Sequence, residues 1–124
     1  MKFVSYLNKK EERLGILFND KVYDLQKAAS TVKMKLPSTM KKFLEGEAAY
    51  MKLAHNVFEA IKKGKIKSGL KYKNLILLSP IPSPTSLRDG YAFRQHVLTA
   101  RRNRGVEMIP EFDQFPIFYF GNHN

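Results

Sequence analysis

Two residues, Asn19-Asp20, separate the run Arg13–Phe18 from the run Lys21–Leu25. Asn and Asp tolerate the left-handed backbone that a two-residue turn requires, so the pair dictates an antiparallel hairpin. Ahead of it, Met1–Leu7 alternates around Phe3 and Tyr6, and Asn8–Glu12 is a polar turn. A small antiparallel meander is therefore predicted over residues 1–25. Three strands with one apolar face need a cover. Helical signals from about Asp24 to Lys63 supply it, interrupted at Pro37-Ser38, where a stop is followed by a potential N-cap, and weakened at Gly46. Ala48, Met51, Phe58 and Ile61 recur at helical spacing, Leu53, Ala54 and Val57 widen the stripe, and lysines fill the other face. Met51 and Phe58 read as core, and His55, on the same stripe, as a packed boundary histidine. Residues 1–72 are thus an N-terminal α+β domain that serves as a scaffold.

Composition excludes several classes. The longest aliphatic stretch, Leu75–Leu78, is far short of the roughly 20 residues a membrane helix needs. The N-terminus lacks the apolar run of a signal peptide, since Lys9, Lys10, Glu11 and Glu12 come early. With no cysteine there is no disulfide framework and no thiolate metal site, which fits a cytoplasmic protein. The formal net charge is +11, unevenly spread: residues 1–72 hold 16 Lys and Arg against 7 Asp and Glu, residues 73–124 hold 6 against 4. Such a balance permits nucleic-acid binding. The basic residues of the first part are nearly all lysines dispersed in ones and twos, and no RNA-binding aromatic signature accompanies them, so they read as a solvated surface.

The character changes after residue 72. Gly64–Tyr72 is basic and aperiodic and reads as a linker. Asn74–Leu78 is a short, fully apolar strand candidate of the kind buried on both faces. Prolines at 80, 82 and 84 keep the following stretch extended and stiff. Arg88 to about Asn103 is predicted as a helix, with Gly105 as its left-handed cap. Arg101, Arg102 and Arg104 complement the dipole of its last turn or grip an anionic group. Phe115–Phe120 is an aromatic strand candidate close to the end of the sequence, with few local strands to pair with. The expectation is that residues 73–124 open a larger β-rich domain whose remaining strands lie beyond residue 124, giving an α+β fold with a truncated second domain.

Hydrolase and nucleotide motifs such as G-x-S-x-G, the Walker loop and H-E-x-x-H are absent. The histidines at 55, 96 and 123 are too scattered for a histidine metal site. The chemistry-bearing segment that remains is Ser86–His96. If it is helical throughout, Asp89 and His96 share one face, separated by roughly 10 Å of rise. That is too far to hold one ion together, but suits a metal ligand and a base acting across a substrate. Tyr91 joins them only if the early residues depart from helical geometry. Asp89 also reads as an ordinary helix N-cap, and His96 as a structural histidine.

At these residues the chain resembles the fumarylacetoacetate hydrolase family. The resemblance rests on Arg88-Asp89-Gly90-Tyr91-Ala92-Phe93-Arg94-Gln95-His96-Val97, Ala100–Gly105, Met108-Ile109-Pro110-Glu111 and Phe115–Phe120. It covers residues 74–122; residues 1–72 are similar to the family's small N-terminal domain only in general pattern. It implies a hydrolase of 1,3-diketo acids, with isomerases and decarboxylases of similar oxo acids as the alternative, and a homodimer for the full-length protein. By the same resemblance Asp89 is a metal ligand, His96 the general base, and Tyr91 and Tyr119 substrate contacts. A Mg²⁺ or Ca²⁺ ion would act as a Lewis acid on the two oxo groups. The family's substrate arginine does not fall uniquely on Arg101, Arg102 or Arg104. One departure is plain: after residue 96 the acids are Glu107, Glu111 and Asp113, with no Glu-x-Glu pair to complete the ion's ligands. The resemblance therefore implies one ligand and the base, without the whole metal site.

Overall fold

The computed structural model describes residues 1–122; His123 and Asn124 lie outside the described residues. The chain divides into two compact units, Met1–Ser83 and Pro84–Asn124. The architecture is α+β: the described residues form four α-helices, an antiparallel five-stranded sheet and a separate two-stranded one.

In the first unit, β1 (Lys2–Asn8), β2 (Glu11–Phe18) and β3 (Lys21–Asp24) form the expected meander. Asn19 and Asp20 take φ values of 46° and 56°, the left-handed turn that their side chains permit. Two short strands extend the sheet to the order β4-β3-β2-β1-β5. One of them, β4 (Leu70–Lys71), pairs with β3 inside the stretch read as a linker, where Ile66 is also buried. The other, β5 (Ile76–Leu77), pairs with β1. The apolar strand expected over 74–78 is thus shorter, and it is an exposed edge rather than buried on both faces, Ile76 being 65 % exposed. Leu78 donates its N–H to the Ser5 carbonyl (2.9 Å), and the Ser5 hydroxyl donates to the Pro80 carbonyl (2.8 Å). These bonds hold the chain to this sheet past residue 72, so the first unit runs on to Ser83.

Helices cover one face of the sheet. Leu14, Ile16 and Tyr23 meet Leu25, Ala28 and Ala29 of α1 (Leu25–Thr31), Phe43 of α2 (Met40–Leu44), and Ala54, Val57 and Ile61 of α3 (Glu47–Lys62) in one core. The helix breaks fall where backbone chemistry, not proline, sets them. Lys33, at φ 59°, donates to the Ser30 carbonyl while Met34 donates to Ala29, a left-handed closure that ends α1 before Pro37. The cap of α2 is Thr39, whose hydroxyl accepts from Lys42, rather than Ser38. Between α2 and α3 the backbone turns left-handed at Glu47 (φ 45°), while Gly46 leaves room for the Tyr50 ring, since a Cβ there would lie 1.8 Å from its Cδ2. The buried stripe of α3 is Ala54, Val57, Ala60 and Ile61, so Met51 and His55 are exposed rather than packed, and Phe58 lies half-buried at the stripe's edge. Periodicity identified the helix, but the direction from which the sheet approaches chose its inner arc.

On the other face of the sheet, register places Tyr6, Arg13 and Asp24 on one side. Gly15 lies between them; a Cβ at that position would meet Val22 Cγ1 at 2.4 Å and Tyr6 Cε1 at 3.3 Å. Its bare backbone lets the Tyr6 ring cross β2 and donate its hydroxyl to Asp24 Oδ2 (3.0 Å). Arg13 donates twice to the same carboxylate, both at 2.8 Å, and the Lys27 N–H donates to Oδ1 at 3.0 Å, so Asp24 also caps α1. A buried carboxylate with four donors ties three strands to the first helix.

Candidate functional site

The second unit begins at Pro84, the last of the three prolines; the stretch expected to be extended is instead bent at residues 80–83 and 85, and extended backbone resumes only with β6 (Leu87–Gly90). Its partner is β7 (Phe118–Gly121), antiparallel, in the register Leu87↔Gly121, Arg88↔Phe120, Asp89↔Tyr119 and Gly90↔Phe118. Two sequence expectations are corrected here. The helix predicted from Arg88 starts only at Arg94, as α4 (Arg94–Asn103), because residues 87–90 are drawn into a sheet. The aromatic segment finds its partner within the chain, in the stretch read as helical. Asp89 is therefore neither an N-cap nor on a common helical face with His96; Phe93 occupies the cap position and supplies no side-chain bond.

The register has a chemical consequence. Residues directly opposite in an antiparallel pair project from the same face, so Asp89 and Tyr119 stand side by side. Arg88, Phe118 and Phe120 occupy the reverse face, where the Arg88 guanidinium lies 5.3 Å from the centroid of the Phe120 ring. Tyr91 continues the ladder by donating its N–H to the Ile117 carbonyl (3.0 Å). Its ring meets His96 edge-on, centroids 6.1 Å apart at 86°, and meets Phe112 at 6.2 Å and 89°. Tyr91, Phe112 and the segment Asp113–Phe118 line a cavity of about 330 Å³.

The four residues singled out from the sequence thus fall into two pairs. Tyr91 meets the His96 imidazole edge-on, and Asp89 stands beside Tyr119. Asp89, His96 and Tyr119 are exposed and Tyr91 is half-buried, so all four are within reach of a solute. Among the described residues neither Asp89 nor His96 has a side-chain hydrogen bond, which leaves the carboxylate oxygens and the imidazole nitrogens open to a ligand.

The helix ends differ in electrostatics. Arg94 is a cation in the first turn of α4, where the dipole disfavours it. Asp113 compensates with a two-point ion pair, Nε to Oδ1 at 2.9 Å and Nη2 to Oδ2 at 3.2 Å. That pair lowers the carboxyl pKa of Asp113 and raises that of the guanidinium, in each case chiefly through the hydrogen bond. It also attaches the short 3₁₀ turn Pro110–Asp113 beside Tyr91. Nothing in the local sequence pointed to it, since the partners lie 19 residues apart. At the other end Gly105, at φ 69°, donates to Arg102 while Val106 donates to Arg101, the left-handed cap expected there. Arg101 is held by its bond to the Glu107 carbonyl, and Arg102 lines a separate cavity of about 410 Å³ with Leu98, Val106 and Met108. None of the three arginines lines the cavity beside Tyr91.

No family model matches the chain, and no curated protein matches it. Among the described residues no three His, Asp or Glu side chains gather where an ion would sit. Asp89 offers one carboxylate, whereas Ca²⁺ takes six to eight oxygens and Mg²⁺ near-ideal octahedral geometry. The residues described do not by themselves fit a complete divalent-cation site. No helix among them is long and apolar enough to cross a membrane.

Proposed function

We propose that the second unit carries the proton-transfer half of a fumarylacetoacetate hydrolase-like site, with His96 as general base for hydrolysis of a carbon–carbon bond in a 1,3-diketo acid. The reading is carried by one observation: the ring of Tyr91 packs edge-on against His96 beside the cavity that Tyr91 lines. Imidazole changes protonation close to neutral pH, which suits it to accepting a proton from water. The resulting hydroxide adds to a substrate carbonyl, the adjacent carbon–carbon bond breaks, and the carbanion takes up a proton to leave a carboxylic acid and a ketone. Tyr91 holds the base in orientation, and Asp89 beside Tyr119 presents a carboxylate and a phenol to the polar end of a substrate.

Tests belong on the protein expressed from its whole reading frame, with loss of diketo-acid absorbance as the readout. His96→Ala is expected to lower kcat at least about a hundredfold, the low end for losing a general base. Divalent-metal affinity should be unchanged, because the histidine is not proposed as a ligand. Near-normal turnover would remove His96 from the mechanism. Product analysis separates hydrolysis, which yields acid and ketone, from isomerisation or decarboxylation.

Asp89 has a second test. Its side chain is exposed on a strand and makes no side-chain hydrogen bond among the described residues, so Asp89→Asn should leave thermal unfolding unchanged. If the carboxylate is a ligand, calorimetric titration with Mg²⁺ should show weakened binding. Equal affinities for the variant and the parent would exclude the ligand role.

A further inference from the structure

We propose that the first unit carries an anion site for a di- or triphosphate group, built by Lys21, Lys71 and Lys73. Pairing of β3 with β4 places Lys21 directly opposite Lys71. Like charges in that position destabilise an antiparallel pair, and β4 is only two residues long, both exposed, with little apolar burial to offset the repulsion. Lys73 follows in a single 3₁₀ turn, Tyr72–Asn74, which the Tyr72 N–H anchors to the Asp20 carbonyl at 2.9 Å. These three lysines, Tyr72, Asn19 and Asp20 line a cavity of about 390 Å³, within the range of small-molecule sites.

Three lysines and a single acid, Asp20, are among the residues that line that cavity. Among the described residues none of the three lysines is in an ion pair or a side-chain hydrogen bond. The unit around them holds 17 Lys and Arg against 7 Asp and Glu, so its field draws anions toward the site. A compact, flexible ammonium binds phosphate as a point charge, and several spread along a strand pair match a ligand whose charge is spread over linked phosphoryl groups. Such a ligand would turn the Lys21–Lys71 repulsion into a shared attraction. The free energy lost in forming β4 unliganded would then be recovered on binding.

The test uses pyrophosphate at constant ionic strength, followed by thermal unfolding and by amide NMR shifts. For the parent protein a rise in Tm of about 4 °C or more is expected on saturation. Lys21→Gln/Lys71→Gln should abolish the rise while leaving the ligand-free Tm equal or higher, because a repulsive pair is gone. Lys33→Gln/Lys35→Gln removes the same charge at exposed positions away from the cavity and should keep the rise. If the double variant at 21 and 71 does not fold, the parent still decides: pyrophosphate and ADP should both shift amides of 19–21 and 70–74. No Tm rise, an equal rise in both charge variants, or shifts confined to other segments would overturn the site. A short oligonucleotide that moves those amides where pyrophosphate does not would overturn the free-phosphate ligand.

Discussion

Asp24→Ala is expected to destabilise the first unit by about 3–5 kcal/mol, the usual cost of removing one partner from a buried ion pair. That is a large share of the roughly 5–15 kcal/mol that holds a small domain folded. Asp24 is 8 % exposed and accepts from Arg13, Tyr6 and Lys27, so its loss removes the guanidinium's charge partner, a buried phenol's acceptor and a helix N-cap together. Among the described residues Arg13 is left only its bond to Gln26 Oε1 (3.0 Å). Asp24→Asn should lose less than Asp24→Ala, because asparagine caps a helix about as well while losing the charge. Burial pushes the Asp24 carboxyl pKa up, but the Arg13 bonds, the Lys27 N–H, the Tyr6 hydroxyl and the Arg13 charge outweigh it and hold the pKa below the usual range. Burial and the Asp24 charge in turn push the Tyr6 phenol up, so it stays protonated as a donor. A carboxyl whose pKa is lower folded than unfolded stabilises above its unfolded value, near 3.9, and that contribution is lost as pH falls through the folded value. Urea midpoints at neutral and acid pH should therefore converge between the parent and Asp24→Asn as pH drops. A neutral-pH loss below about 1 kcal/mol for Asp24→Ala would show that the pair behaves like an exposed one.

Phe43→Ala should cost a comparable 3–5 kcal/mol or so, the range for emptying an aromatic position in a core. Phe43 is the buried residue of α2, a helix of only five residues that has no stability apart from what it packs against. Its ring lies 5.0 Å from that of Phe3 on the sheet and 6.2 Å from that of Tyr50 on α3, so one side chain joins the meander to two helices. Removing it should melt α2 as well as lower global stability. Hydrogen exchange reads both effects: the Phe43 amide, bonded to the Thr39 carbonyl at 3.0 Å, should lose protection before the β1–β2 ladder does. Phe43→Leu, which refills much of the volume, should be distinctly milder. Equal protection of α2 in the parent and Phe43→Ala would mean that the helix is held by its ends.

How much of the site was legible follows the same physics. Asp89, Tyr91 and His96 were picked out in the sequence and Tyr119 through the family resemblance alone, but the geometry that relates them was not legible. Reading Arg88 to about Asn103 as one helix put Asp89 and His96 on a common face, and local propensity alone gave no reason to split it. The split comes from Phe118–Gly121, which pairs with Leu87–Gly90 some thirty residues upstream, a non-local ladder that no window of sequence displays. That same ladder sets Asp89 beside Tyr119. The Arg94–Asp113 bridge and the Lys21–Lys71 opposition were hidden for the same reason.

What this sequence determined by itself is what short-range chemistry controls. The Asn19-Asp20 turn, the alternation of β1, the helical period before Lys63 and the Gly105 cap depend on a few neighbouring residues, and each was readable where it stands. Tertiary structure decided which arc of α3 is buried, where the first unit ends, whether 87–90 is strand or helix, and which polar groups meet. Those outcomes depend on sheet register and on the bonds of single atoms such as the Ser5 hydroxyl and the Asp24 carboxylate. Register is chosen by free energies summed over both strands at once, and a sequence read along its length presents only one of them at a time.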